Sequence, residues 1–426
     1  MPVKQQQTAT SLSDITLRAA LVVFAVFVNL ATVSTAHAQT LSILHAFTNG
    51  RDGAGPTAGL TIDRGSNFYG TTSIGGAGYG TVFKLSHQGP GWILDTLYTF
   101  QGGDDGGDPY ARVVFGPDGA LYGTTSDYNL SGVHGTVFRL TPPSHPCWST
   151  SCPWTKIVLY RFQGGADGAD PGPSDLAFDA GGNIYGTTFS GGGGANCQAN
   201  DCGVVFKLSR SGASWTEAVL YRFSASGNVG NIPAAGVILD RVGNLYGTTD
   251  LGGTLNGGVV FQLMQSGSNW TETVLHTFGG LNDGAYPNGL IMDQQGNLYG
   301  TTEAGPTIEN AGTVYELQRS GGSWTYSILA ALPGGEEMNG PEDAPFMDAA
   351  GNLYATSSGG GSGTYGYVFK LAPSGGGWIY TDLYDFNGRD GADPAGSVVL
   401  DVYGNLYGTT FTSIPSHYGE VWELTP

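Results

Sequence analysis

Short apolar runs of strand length, each closed by glycine, proline, aspartate or asparagine, follow one another from Leu41 onward, with no helical period between them. Residues 232–278 show the unit. Gly236-Val237-Ile238-Leu239 is an apolar run, Asp240 to Asn244 a polar turn, and Leu245-Tyr246-Gly247-Thr248-Thr249 a second run rich in strand-favouring residues. A glycine-rich loop leads to Val259-Val260-Phe261-Gln262-Leu263. Ser266-Gly267-Ser268 then turns the chain into a run from Trp270 to Phe278. The pattern predicts four strands, A to D, joined by short turns.

The unit recurs. Leu-Tyr-Gly-Thr-Thr or a close variant occurs seven times, with its tyrosine at Tyr69, Tyr122, Tyr185, Tyr246, Tyr299, Tyr354 and Tyr407, at steps of 53 to 63 residues. Asp stands six residues before the tyrosine in six copies and Gly three before it in six, the chemistry of a tight A–B hairpin whose last residue has positive φ. The first copy departs with Ser66, and the second with Gly116 and Ala120. Strand C repeats Gly-Thr-Val-Phe-Lys-Leu, and strand D runs from a tryptophan to an apolar residue eight positions on, as in Trp92/Phe100 and Trp215/Phe223. Six of the eight tryptophans belong to the repeat and are read as packing residues.

Four antiparallel strands per repeat fit a β-propeller blade, whose two faces are both buried against neighbours. The last repeat stops after strand C at Leu424, while Leu41 to Phe47 matches strand D. The sequence therefore predicts an all-β, seven-bladed propeller of four-stranded antiparallel blades, closed where the amino-terminal strand joins the carboxy-terminal blade. No sheet edge is left orphaned.

Residues 1–38 read as a signal peptide. Lys4 and Arg18 precede an apolar run from Ala19 to Val33, and Ala36-His37-Ala38 offers a small-x-small cleavage site. The run falls short of the roughly 20 residues of a membrane span. The propeller is placed at 39–426, with export to the periplasm or outside the cell. Without residues 1–38 the chain holds 14 basic and 34 acidic residues. That balance argues against nucleic acid and against an anionic membrane surface, and it suits a soluble monomer. Glycine and proline total 93 of 426 residues, yet the aromatics recur at fixed positions, so glycine punctuates strands here and does not signal disorder.

The units with Gly-Asn-Leu-Tyr-Gly-Thr-Thr, Gly-Thr-Val-Phe-Lys-Leu and the Gly-Gly-x-Asp-Gly-x-x-Pro turn resemble the GloVer tandem-repeat family of exported bacterial proteins, named for its choice of cell-surface anchors. The resemblance covers all of 39–426 and implies an exported repeat protein, with no catalytic residues to carry over. The sequence ends at Pro426 without an anchor signal, which favours secretion over surface attachment. Asp-x-x-Gly-Asn-Leu-Tyr is also similar to the turn of NHL-type and gluconolactonase-like or lyase propellers. No single-copy Glu, Asn, Asp or His set matches theirs.

In such blades the B–C and D–A loops share one face of the ring. The D–A loops are acidic, with Asp104, Asp105, Asp108, Asp167, Asp170, Asp390 and Asp393 as candidate ligand-binding residues. Oxygen-rich loops suit calcium, though Asp-Gly-x-Asp-Pro is also a good turn in its own right. The starts of the A strands should line the channel near Thr57, Arg112, Ser174, Ala235, Asn288, Ala344 and Ser397, with Arg112 the one cation among them. The loops at Gly75-Gly76 and Gly191 to Gly194 lack the Lys-Ser/Thr of a phosphate loop. His134, His276 and His417 have no cysteine or carboxylate partners nearby in sequence and read as strand or surface residues. Cys147 and Cys152 fall in a C–D loop, Cys197 and Cys202 in a B–C loop on the opposite face. Two local disulfides, 147–152 and 197–202, are therefore expected in preference to a zinc site.

These readings leave a first expectation of a non-enzymatic module binding a carbohydrate or an extracellular protein, without a cofactor. The alternatives are a calcium-dependent lactonase- or lyase-like hydrolase and a glycosidase, which needs two carboxylates about 5–10 Å apart. The seven tyrosines are scaffold, because a residue present in every blade is not one catalytic group.

Overall fold

A computed structural model describes residues 39–126, 132, 134–143, 154–172, 175–193, 197, 202–212, 214–225, 228–279, 283–306, 310–334, 340–414 and 418–425. Residues 1–38, read as a signal peptide from the sequence, and Cys147, Cys152, Ser174 and His417 lie outside the described residues. Thr40–Thr425 forms one compact unit of seven four-stranded antiparallel blades. Blade 1 comprises Thr61–Ile62, Phe68–Thr72, Thr81–Gln88 and Gly91–Thr99 as its A to D strands, paired in chain order. Blade 4, with Ile238–Leu239, Leu245–Thr249, Val259–Ser266 and Asn269–Thr277, repeats it. Blade 7 takes its A, B and C strands from Val399–Leu400, Leu406–Thr410 and Glu420–Thr425. Its D strand is the amino-terminal Thr40–Ala46, paired to strand C from Thr40↔Thr425 to Ala46↔Glu420. Among the described residues no helix is long and apolar enough to cross a membrane.

Each repeat residue has a local reason. The turn aspartate accepts hydrogen bonds from backbone N–H groups and the following asparagine, and it also receives the scaffold tyrosine hydroxyl, as in Tyr69–Asp63 at 3.0 Å and Tyr246–Asp240 at 3.2 Å. Blade 2 reaches the same bond by another route. Gly116 stands where the aspartate would, and Asp118 accepts from Tyr122 at 3.0 Å instead. In blade 1, Ser66 itself takes the left-handed turn position at φ 56°.

The glycine of Leu-Tyr-Gly-Thr-Thr makes room for the strand C aromatic. A β-carbon at Gly247 would lie 2.6 Å from Cζ of Phe261. The first threonine ties neighbouring blades, donating to the start of the next strand A: Thr71 to Ala111 O, Thr187 to Ala235 O, Thr301 to Asp343 O, Thr356 to Gly396 O and, across the closure, Thr409 to Ala58 O, all at 2.8–2.9 Å.

A second feature runs through all seven blades and is absent from the strand-period reading. The C–D ladder skips one leucine on strand D at every turn of the ring: Leu44, Leu97, Leu159, Leu220, Leu275, Leu329 and Leu383. This β-bulge bends each outer strand and raises its twist. It also explains why strand D alternates poorly between apolar and polar positions.

Among the described residues, burial is concentrated between blades in seven apolar clusters. One joins Tyr122, Val137 and Phe162 of blade 2 to Leu176, Ile184 and Phe206 of blade 3. The closing cluster joins Phe47, Tyr407 and Val421 to Leu60, Phe68 and Phe83. The scaffold tyrosines, at most 8% exposed, sit in these interfaces beside the next blade's tryptophan, as in Tyr246–Trp324 at 6.0 Å and Tyr407–Trp92 at 6.3 Å.

Candidate functional site: a cup at the mouth of the channel

The D–A and B–C loops pack against each other on one face, joined by short antiparallel bridges such as Ala54↔Ile74, Ala169↔Ser190 and Ala392↔Thr412. Each D–A loop then turns inward through a proline. That proline lies against the glycine that opens strand C of the preceding repeat. A β-carbon at Gly258 would meet Cδ of Pro287 at 2.5 Å and the carbonyl oxygen of Thr249 at 2.3 Å, and its φ is +92°. The same glycine–proline contact closes the ring at Gly419 and Pro56. This fixed scaffold presents three variable positions to the channel mouth: the residue after the proline, the residues opening strand A, and the residue after the second threonine of Leu-Tyr-Gly-Thr-Thr.

Those positions line a cup of about 520 Å³. The residue after the proline supplies Thr57, Tyr110, Asn288 and Glu342; the residue after the threonines supplies Glu303 and Phe411; the strand A openings supply Arg112, Asp175 and Asp343. Asp393 completes the acidic wall. The floor is a charged bar. Arg112 Nε donates to Asp175 at 2.5 Å, and Asp343 accepts backbone N–H bonds from Ala344 at 2.7 Å and Ser397 at 2.9 Å. Asn288, buried, donates to Pro341 O at 2.6 Å.

Crowded carboxylates shift their titration. Burial pushes Glu303 up to about 8, with Asp250 and Glu342 adding to the effect. Burial also pushes Asp343 up, to about 6, reinforced by Asp175 and opposed by Arg112 and the two backbone N–H groups. Arg112 is held above its ordinary value, chiefly by Asp175. Burial and neighbouring carboxyls therefore disfavour the charged forms of Glu303 and Asp343 in the cup.

Of the eight ligand candidates read from the sequence, Arg112 and Asp393 border the cup. Asp105, Asp167 and Asp390 bind back onto their own loops. They accept from the strand D hydroxyls of Tyr98 at 2.7 Å, Tyr160 at 3.0 Å and Tyr384 at 2.6 Å, and from the backbone N–H of Gln101, Gln163 and Asn387. His276 occupies that tyrosine position in blade 4 and meets Asp283 at 3.2 Å, so it is a strand residue with a carboxylate partner seven residues on. Asp108 and Asp170 take the left-handed position before the proline at φ 50° and 53°, and Asp170 accepts from Ser190 at 2.8 Å. Asp104 is fully exposed on the rim. Cys197 and Cys202 form a disulfide.

Asp175, Glu303, Tyr110 and Phe411 were not singled out in the sequence. Their signal lay in comparing repeats. The position after the threonines reads Ser73, Ser126, Phe189, Asp250, Glu303, Ser358 and Phe411, so variation begins there, directly after the nearly constant Leu-Tyr-Gly-Thr-Thr phrase.

Fold and cup together define a closed repeat propeller whose variable residues converge on one end of its channel. The chain belongs to the Gloeobacter/Verrucomicrobia repeat family, whose sequence profile matches residues 29–196, 150–343 and 308–426. No curated protein matches the chain. Among solved structures it is similar to the extracellular domain of the one-component system protein BT4673 from B. thetaiotaomicron, with TM-score 0.54 and 11% identity over 91% of this chain. The chain spans 40% of that structure's length. It is also similar to an ulvan lyase of polysaccharide lyase family PL25, with TM-score 0.50, 11% identity, 90% of this chain and 95% of the other. At such identities the likeness shows the fold alone.

Proposed function

We propose that the chain is an exported, non-catalytic module that binds a carbohydrate in the cup. The observation that supports this most is the pairing of wall chemistries in one cavity. Carboxyl groups at Glu303, Glu342 and Asp393 exchange hydrogen bonds with ligand hydroxyls, while Tyr110 and the half-exposed Phe411 offer apolar ring faces to sugar C–H groups. The volume falls within the roughly 300–1,000 Å³ of small-molecule sites, enough for a short saccharide. Because the scaffold holds these groups on strand ends and proline-fixed loops, little ordering accompanies binding.

A calcium-dependent hydrolase gains no comparable support. Among the described residues no three His, Cys, Asp or Glu side chains are grouped closely enough to hold a metal ion.

Screening a glycan array with the secreted protein, followed by calorimetry on the hits, tests the reading. The expected result is micromolar to millimolar binding that Glu303→Ala weakens several-fold, with the bound glycan recovered intact. Turnover of the bound sugar, or an array without hits alongside a calcium-dependent thermal shift, would move the assignment to the hydrolase class.

A further inference from the structure

Arg112, Asp175 and Asp343 border two cavities, the cup above them and a second of about 550 Å³ below. The lower chamber has a different chemistry. Its wall is made by the A strands of blades 2 to 6, through residues such as Val114, Leu239, Ile291, Met292, Phe346 and Met347. Among the described residues, the charged groups on that wall are the three at the bar. Leu239, Met292 and Met347 each stand one residue before the A–B turn, so the chamber runs from the bar toward the opposite face of the ring.

We propose that this lower chamber is a second ligand site, for an uncharged aliphatic chain carrying a carbonyl or amide head. Two observations carry this. Partly exposed aliphatic side chains from five blades line a half-open space of ligand size, and covering them releases water at a gain proportional to apolar area. The bar selects the head. Asp175 and Asp343 repel a carboxylate, while the Arg112 guanidinium has one side-chain hydrogen bond among the described residues, from Nε to Asp175, and its other N–H groups suit a carbonyl oxygen. The proposal does not rest on the carbohydrate reading, because the cup lies on the other side of the bar.

Calorimetry with a homologous series of linear amides, from butanamide to octanamide, tests it on the unmodified protein. Affinity should rise about fourfold per added methylene until the chamber fills. Octanoate should bind at least tenfold more weakly than octanamide. Leu239→Trp and Met347→Trp, each placed to fill the chamber, should abolish amide binding, whereas Tyr110→Ala in the cup should leave it unchanged. Circular dichroism and melting curves report whether the filled variants fold. A flat series, equal binding of octanoate, or undiminished binding in both folded tryptophan variants would overturn the proposal. None of these outcomes bears on glycan binding in the cup.

Discussion

Gly247 shows how a single position holds an interface together. Its missing β-carbon leaves room for the Phe261 ring, which in turn packs edge-on against Phe223 of the preceding blade at 5.2 Å. Gly247→Ala should cost about 1–3 kcal/mol, the range of an overpacked core, and chemical denaturation measures it. Blade 6 carries Ala355 at the same place, and there Phe369 instead stacks on Tyr380 at 5.8 Å. The turn aspartates act through hydrogen bonding. Partial desolvation raises the Asp240 carboxyl, but bonds from Asn244, its backbone N–H, the Val242 N–H and the Tyr246 hydroxyl outweigh it and hold the group below its ordinary value. A carboxylate depressed in the folded state stabilises it above the unfolded value near 4, and that stabilisation is lost as pH falls through the folded value. Asp240→Asn should therefore cost about 1 kcal/mol at neutral pH, with the gap to the unmodified protein closing below pH 4 in acid-unfolding curves.

At the scale of strands, blade number, strand order and ring closure were legible because the hydrophobic pattern repeats and the ends complement each other. The leucine bulge was not legible. Strand D read as one continuous run, and the skipped residue is itself apolar, so the step leaves no break in the pattern. The partner of His276 was equally hidden, because Asp283 acts across a loop that closes only in the folded chain. Closure makes its own demand. Thr40–Ala46 covers the edge of Glu420–Thr425 and anchors Phe47 in the last interface, against Phe83 at 5.3 Å. Deleting residues 40–46 should lower the melting temperature by many degrees and bring on aggregation through the bared strand. Light scattering during a thermal scan checks this, and an unchanged melt would contradict the closed ring.

Across the whole molecule the repeats divide labour. Positions shared by most or all blades build the ring, and positions that differ between blades converge at the channel mouth. Sequence reasoning located the channel near the strand A openings and singled out Arg112, because a lone cation stands out among seven equivalent positions. It did not assemble the acidic and aromatic walls, since Glu303, Glu342, Asp393 and Phe411 come from different loops of blades 5, 6 and 7 and meet only when the ring closes. The acidic rim drew attention by composition, yet Asp105, Asp167 and Asp390 already have their oxygens engaged by the preceding strand D tyrosine, and Asp105 by Lys156 of the next blade as well. The most direct test sets cup against rim. Calorimetry with the tightest glycan should show Tyr110→Ala lowering affinity at least tenfold and Asp104→Ala leaving it within twofold. A loss of affinity at Asp104, with Tyr110→Ala indifferent, would place binding on the rim and contradict the account.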